Sequence, residues 1–548
     1  MRWLQPKRIE ELLIELCSIP SLSNTEEENS MVELLVEVFN RIPFFQKNPQ
    51  YIIREKMEGD PHNREVFGAF LPGRGKQTVI LLSHYDVVDV LDYGRYQKLA
   101  FYPRELTREL LKRKEIKDLL PREKEDDFLF GRGVADMKAG LAIQILLLHD
   151  LSQLNNLEGN ILLLTVPDEE TTSRGMLTAV QVLNKLREEK KLEYKGVINC
   201  EPAFPAYPGD KNKYIYTGSM GKAVLFCYAR GIESHVGDVL SGFNANLLLA
   251  EMIKNLEGNI SFCEKLEGYV APPPTFLKVR DNKRHYSAQI PHTAAAYLNF
   301  SLLYRSPREL LEEVLEVGKR VVFALNEEMG NRLQQYLSWQ GQSLPGKKRE
   351  AWVFTYEEFY NLAREEYGKE VDLALGKFSR ENRNNMEEQE LCLRMTEIVD
   401  DYVQKPGPGL VVGFTPPYYP PVKSDSQSKR DKEMYKVAVM LQKRAQTKHG
   451  QEVKIFPFFP GISDLNYCQF SDYQDTRDYF KPNMPTWGAG YTLPLEDLRK
   501  LDIPVINLSV QGYDAHKHTE RLERSYSFEV VPDLLRQAVG ELLEVVGE

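Results

Sequence analysis

The sequence lacks most of what a secreted or membrane-bound protein needs. Its six cysteines, Cys17, Cys200, Cys227, Cys263, Cys392 and Cys468, are scattered over 548 residues without short-range pairing. That spacing argues against a disulfide framework or a thiolate metal site, so any metal must be held by His and carboxylate. No stretch approaches the roughly 18 consecutive apolar residues of a membrane-spanning helix. The opening MRWLQPKRIEELL turns amphipathic and acidic, without the apolar run and small-residue cleavage site of a signal peptide. A cytoplasmic location and no membrane partner are therefore expected. A basic excess is missing too: 80 acidic residues against 70 basic ones leave a formal charge of -10, which gives no argument for a nucleic-acid partner. No internal repeat is evident.

What is present fits a large globular protein. A chain of this length exceeds what a single hydrophobic core supports, so at least two domains are expected. Ile9, Leu12, Leu13 and Leu16 share one helical face, and Pro20 ends that helix. Compact apolar runs at 78–83, 161–166 and 196–200 read as buried strands, and the breaker-free run 139–148 as a helix packed on their sheet. Strands separated by helices predict an α/β layer structure. After about residue 212 the texture changes: strands at 222–230 and 294–303 and helices at 244–256 and 308–322 predict an α+β unit, followed by long charged helices. The α/β pattern returns near Arg430, with strands at 453–456 and 505–510 and a last helix at 531–546. The economical partition is a discontinuous α/β domain interrupted by a second one.

The informative side chains stand at or just beyond the expected strand ends. His84 and Asp86 occur in HYD, Asp136 in GRGVADMKAG, Glu169 and Glu170 in PDEE, Glu201 in NCEP, and His516 and His518 in AHKHTE. Carboxyl ends of strands in an open α/β sheet converge on one rim, so residues far apart in sequence meet there. Imidazole and carboxylate together suit zinc, and two ions about 3.5–4 Å apart need a shared oxygen ligand. Asp136 supplies that bridge in this reading, with His84 and Glu201 on one ion and Glu170 and His516 on the other. Glu169 is left facing the activated water, and Asp86 is placed to hold the second nitrogen of His84. Individually each signal is weak. An EE pair is more often a solvated charge patch, and an Asp after glycines is more often a turn residue.

Taken in order, HYD, GRGVADMKAG, PDEE, NCEP, GIESHVGD and AHKHTE resemble the M20 family of metallopeptidases and amidohydrolases, and GISDLNY, PPYYP and DAHKHTERLE resemble its RocB-type arginine-utilisation proteins. The resemblance implies a zinc-peptidase-like catalytic domain with a mainly parallel central sheet, formed by 1–212 and 431–548. It also implies an inserted and enlarged α+β lid over 213–430, of a kind often used to form a homodimer. Residue by residue, it implies His84, Glu170 and Glu201 as terminal ligands, Asp136 as the bridge, Glu169 as the catalytic base and Asp86 as the orienter of His84. A His followed four positions later by Glu selects His516, with Glu520, over His518. His235 resembles the lid histidine that stabilises the oxyanion in a neighbouring subunit. The cofactors implied are two divalent ions, zinc first and cobalt or manganese as alternatives, and the substrate a small peptide or N-acyl amino acid. An inactive metal-site scaffold that binds a metabolite is the alternative. Tyr418 and Tyr419 are candidates for a pocket or a subunit contact, Arg380 for a carboxylate, and Asp464 for an acidic position near the site or a turn cap. Arg305 lacks the family's usual neighbours and is assigned no substrate role.

Overall fold

Strands whose side chains are apolar on both faces belong inside a sheet covered on both sides. The run TVILLS of strand Arg74–His84 and the run NILLLTV of strand Glu158–Val166 are buried throughout. They lie at the centre of an eight-stranded sheet in the computed structural model, which describes residues 3–121, 124–207, 209–283, 285–343, 349–403, 405–423 and 428–543. Arg74–His84 is flanked by Glu158–Val166 and Glu193–Asn199, and the latter by Val505–Leu508, all parallel. Ile52–Lys56 and Glu65–Leu71 join antiparallel at one edge. At the other, Lys213–Tyr216 runs antiparallel to Val505–Leu508 and parallel to Val453–Phe456. The sheet is thus mixed, with the expected parallel arrangement confined to its centre and one outer pair. Helix Lys138–Leu151 has no polar face, and it shares one core with helices Pro6–Cys17, Lys429–His449 and Val531–Leu542. Gly140 lets it approach the sheet, since a Cβ there would meet the Cys200 carbonyl oxygen at 2.6 Å. The last helix ends at Leu542, short of the expected 546, and residues 544–548 lie outside those described.

The chain divides into two compact units at points that differ from the sequence partition. The first comprises Met1–Met220, Val422–Phe470 and Glu496–Glu548; the second comprises Gly221–Pro421 and Ser471–Leu495. Residues 213–216 fall in the first unit because they form a strand of its sheet. Residues 471–495, expected in the first, fall in the second for a packing reason: the Phe480 ring stacks on Phe414 at 4.3 Å, and the Asn483 carbonyl accepts from the Phe414 N–H.

The second unit holds a five-stranded sheet in the order Thr275–Asp281, Thr293–Leu302, Gly221–Arg230, Gly409–Tyr419, Trp352–Thr355, antiparallel except for the last pair. The expected helix at 308–322 runs much further, as Pro307–Trp339, started by a capping box between Ser306 and Glu309 and by Pro307. The enlarged region is a helical layer, Tyr356–Tyr367, Lys369–Asn382 and Glu388–Tyr402, whose apolar residues pack with Phe226, Tyr228 and Val411 of the sheet. Tyr418 and Tyr419 are fully buried, with Tyr418 against Phe480 at 4.4 Å, so in this chain they are core side chains of the second unit.

Candidate metal centre

Three adjacent parallel strands end together at one rim of the first unit, His84 being level with Val166 and Leu82 with Asn199. The residues that follow these ends therefore share one space. His84 Nε2 lies 3.2 Å from Asp136 Oδ1 and 3.7 Å from Glu201 Oε2. His516 Nε2 lies 3.3 Å from the other Asp136 oxygen, Oδ2, and 2.9 Å from Glu170 Oε2. The two carboxylate oxygens of Asp136 thus face one imidazole each. Metal bonds of about 2.0–2.2 Å in a tetrahedral site set ligand atoms about 3.4 Å apart, and these four His–carboxylate distances, 2.9–3.7 Å, lie around that value. Ligand atoms of His84, Asp136 and Glu170, drawn from both of these groups, also lie within 4.8 Å of one another.

The electrostatics ask for cations. Asp86, Asp136, Glu169, Glu201 and Asp464 are at most 6% exposed. Side-chain contacts with Asp136 and Glu170 push His516 up to about 11, although 48% of its side chain is exposed. His84 is raised as well: burial works against its charge, and Glu201 and Asp136 override it. Carboxylates that hold protons on two imidazoles would hold divalent ions in their place. Glu169 is pushed up by burial first and then by Glu201, Asp464 and Glu170, with His84 opposing. Its Oε2 lies 3.9 Å from His84 Nε2.

His84 Nδ1 sits 3.1 Å from the backbone carbonyl oxygen of Asp86 and 3.4 Å from its Oδ1. The nearer partner is the carbonyl, where the carboxylate was expected. An Nδ1–H donated there leaves Nε2 free as a ligand. The Asp86 carboxylate has a wider role, accepting from the backbone N–H of Glu169 at 3.2 Å, that of Glu170 at 3.1 Å and the Ser23 hydroxyl at 2.8 Å. Burial opposes its charge, but the His84 contact and these donors keep Asp86 below the ordinary carboxylate range.

Sequence reasoning missed the groups behind the ligands. Glu520 was named beside His516 on the family resemblance, without a contact of its own; its Oε1 accepts from the backbone N–H groups of Ala135 and Asp136, and its Oε2 is 2.6 Å from Arg132 Nη1. Arg132 lies inside GRGVADMKAG, and that motif was the available signal. Asn199 links Glu201 Oε1, at 3.4 Å, to the Ser463 hydroxyl at 3.3 Å. Asp464, expected near the site or as a turn cap, is 1% exposed, and its carboxyl is pushed up by burial, with His84 opposing and Asp86 and Glu201 adding to the rise. His518 falls outside the cluster, with Nδ1 3.9 Å from Asp92 Oδ2. His235 belongs to the second unit, where it is exposed and its Nδ1 accepts from the Gly237 N–H. Arg305 pairs with Glu264 and Glu313, and Arg380 is exposed on its helix.

The pattern of peptidase family M20/M25/M40 matches residues 80–483, nearly three quarters of the chain. The chain belongs to this family. It is 35% identical over 548 residues to the protein YqjN of Bacillus subtilis, covering 99% of this chain and 98% of that one. It is 31% identical over 544 residues to the protein RocB of the same organism, covering 98% and 95%. Among solved structures, the fold resembles aminopeptidase PepT from Bacillus cereus, with a TM-score of 0.53 at 14% identity over 98% of this chain and 99% of that one. As a family member the chain is a hydrolase of the M20 peptidase type, with a catalytic α/β fold and a metal-binding site. No helix among its described residues is long and apolar enough to cross a membrane.

Proposed function

We propose that this chain hydrolyses an amide bond in a small peptide or N-acyl amino acid at a two-ion centre, with Glu169 moving the proton. The observation that carries the reading is Asp136, whose two oxygens lie 3.2 and 3.3 Å from two different imidazoles, each with its own second carboxylate. His84 and Glu201 would hold one ion and Glu170 and His516 the other. When bound, such ions polarise the scissile carbonyl and lower the pKa of a water. Glu169 accepts a proton on its carboxylate and returns it to the leaving nitrogen, a task for which a raised carboxyl pKa is suited. Asp86 holds the Glu169 and Glu170 backbone N–H groups, which supports base and ligand in one fixed loop.

Zinc is the proposed metal, because two imidazoles with carboxylates match its preferences, and cobalt and manganese fit the same donors. The proposed setting is cytoplasmic arginine utilisation, resting on the RocB-type likeness and on six free cysteines. His235 is proposed as an oxyanion donor delivered within a homodimer, on the resemblance of GIESHVGD alone. Glu169→Gln is the deciding variant, assayed against acyl-amino acids and short peptides after loading with Zn, Co or Mn. Retained metal with turnover reduced about 10²–10⁴-fold is expected for loss of a general base. Near-normal turnover would remove Glu169 from that role.

A further inference from the structure

Behind the PDEE loop lies a second buried cluster that contributes no ligand. The Arg64 guanidinium is 1% exposed. Its Nη1 donates to Glu28 Oε2 at 2.8 Å and to Asp168 Oδ1 at 2.7 Å, and its Nη2 to Asp60 Oδ1 at 2.7 Å. Glu28 turns its other oxygen, Oε1, to the backbone N–H of Asp168 at 2.9 Å. Asp168 is therefore gripped at both its side chain and its main chain. It also organises everything downstream. Its carboxylate accepts from the hydroxyls of Thr171 and Thr172 and from the Arg174 N–H, and its carbonyl accepts from the Ser173 N–H at 2.7 Å. Asp168 has φ 68°, a left-handed conformation that costs a non-glycine residue about 1–3 kcal/mol and persists only when its surroundings hold it.

The loop that presents Glu169 and Glu170 thus has two anchors, Asp86 on the metal side and Arg64 on the far side. His84 and Glu201 follow other strands and make no hydrogen bond to the Arg64 cluster among the described residues. We propose that Arg64 is a positioning residue of the metal centre, which through Asp168 sets the placement of Glu170 and so the affinity for the ion shared with His516. The inference rests on the two-ion reading above. Its consequence is asymmetric: loosening this anchor should affect one ion and spare the other.

Stepwise cobalt binding tests this, followed by visible absorption in competition with a chelator, on the full chain and on Arg64→Met, Arg64→Lys and Asp168→Asn. Partners behind metal ligands typically contribute 10–100-fold in affinity. One of the two cobalt ions should bind about 10–100-fold more weakly in Arg64→Met and Asp168→Asn, while the other keeps its wild-type affinity. Arg64→Lys should recover part of the loss, because an ammonium cannot reproduce the planar fork. Parallel weakening of both ions would mean general loosening and would overturn the proposal, as would unchanged binding of both. If Arg64→Met fails to fold, the near-isosteric Asp168→Asn decides by the same criteria. A wild-type chain that binds a single cobalt would overturn the two-ion reading itself, a result seen before any substitution is compared.

Discussion

The Arg132–Glu520 pair offers the sharpest test of how the Asp136 loop is held. Both side chains are 1% exposed and their charged atoms are 2.6 Å apart. Burial pushes Glu520 up and Arg132 pulls it back, so the pair is stable only as a pair. Glu520→Gln keeps an oxygen to accept from the Ala135 and Asp136 N–H groups but leaves the guanidinium without its carboxylate. Breaking a buried pair from one side costs about 3–5 kcal/mol. Arg132 retains the Asp89 carbonyl, Asp92 at 3.3 Å and the face of Tyr93, which places the cost near the low end, about 3 kcal/mol. Urea unfolding of the metal-free protein measures it, with Arg132→Met and the double variant completing a cycle. A coupling energy of at least about 2 kcal/mol is expected, since removing both charges leaves none stranded. Cobalt affinity should stay near wild type in Glu520→Gln and fall about 10–100-fold in Glu520→Ala, which also strips the acceptor from two backbone donors. Single-variant costs that simply add would refute the argument that these charges depend on each other.

Three further outcomes follow from the same geometry. His516→Ala should lose one bound ion per chain and nearly all turnover, and His518→Ala should keep both ions, as metal analysis after dialysis will show. Gly140→Ala should destabilise the first unit by about 1–3 kcal/mol through overpacking against the Cys200 backbone. Because Glu201 follows Cys200, its cobalt affinity should fall as well. Asp533 is held well below the ordinary carboxylate range by Arg444, Lys448 and His449, against the effect of burial. A depressed folded-state pKa gives stability that is present above about 3.9 and lost as pH falls toward the folded value. Asp533→Asn should therefore lower the stability from urea unfolding at pH 7 by about 1 kcal/mol, given that Arg444 and Lys448 are 32% and 48% exposed, with the gap narrowing below about pH 4.

How much of this was legible depended on whether a residue's partners were local. Strand Arg74–His84 and helix Lys138–Leu151 announce themselves through apolar runs with no polar face, and the motifs after the strand ends are short and contiguous. Helix Pro307–Trp339 was recognised only in its first half, because beyond Val322 its buried positions thin to Leu325 and Met329 and the apolar stripe fades. Segment 471–495 was misplaced because its anchors, Phe414 and Glu357, are distant in sequence. Tyr418 and Tyr419 looked like pocket or interface residues beside four prolines; both are buried, and Tyr418 packs on Phe480, 62 positions away. The same holds behind the ligands: Arg64 meets Asp168 across 104 positions and Arg132 meets Glu520 across 388. No periodicity reports such pairs.

The sequence distance between the ligands has a physical consequence of its own. His84, Asp136, Glu170, Glu201 and His516 come from five separate segments, and each carboxylate is costly to bury alone. The interior meets that cost with few fixed cations. Arg132 and Arg64 serve the layer behind the ligands, while the ligands themselves face two imidazoles that their acidic neighbours drive toward the protonated state. Bound divalent ions would relieve this charge more effectively than protons, since each is shared among oxygens that a proton cannot bridge. In the proposed two-ion reading, the ions would join loops from opposite ends of the chain, so metal binding would add to the stability of the first unit. The Asp86, Arg64 and Glu520 anchors keep those loops close enough to be joined.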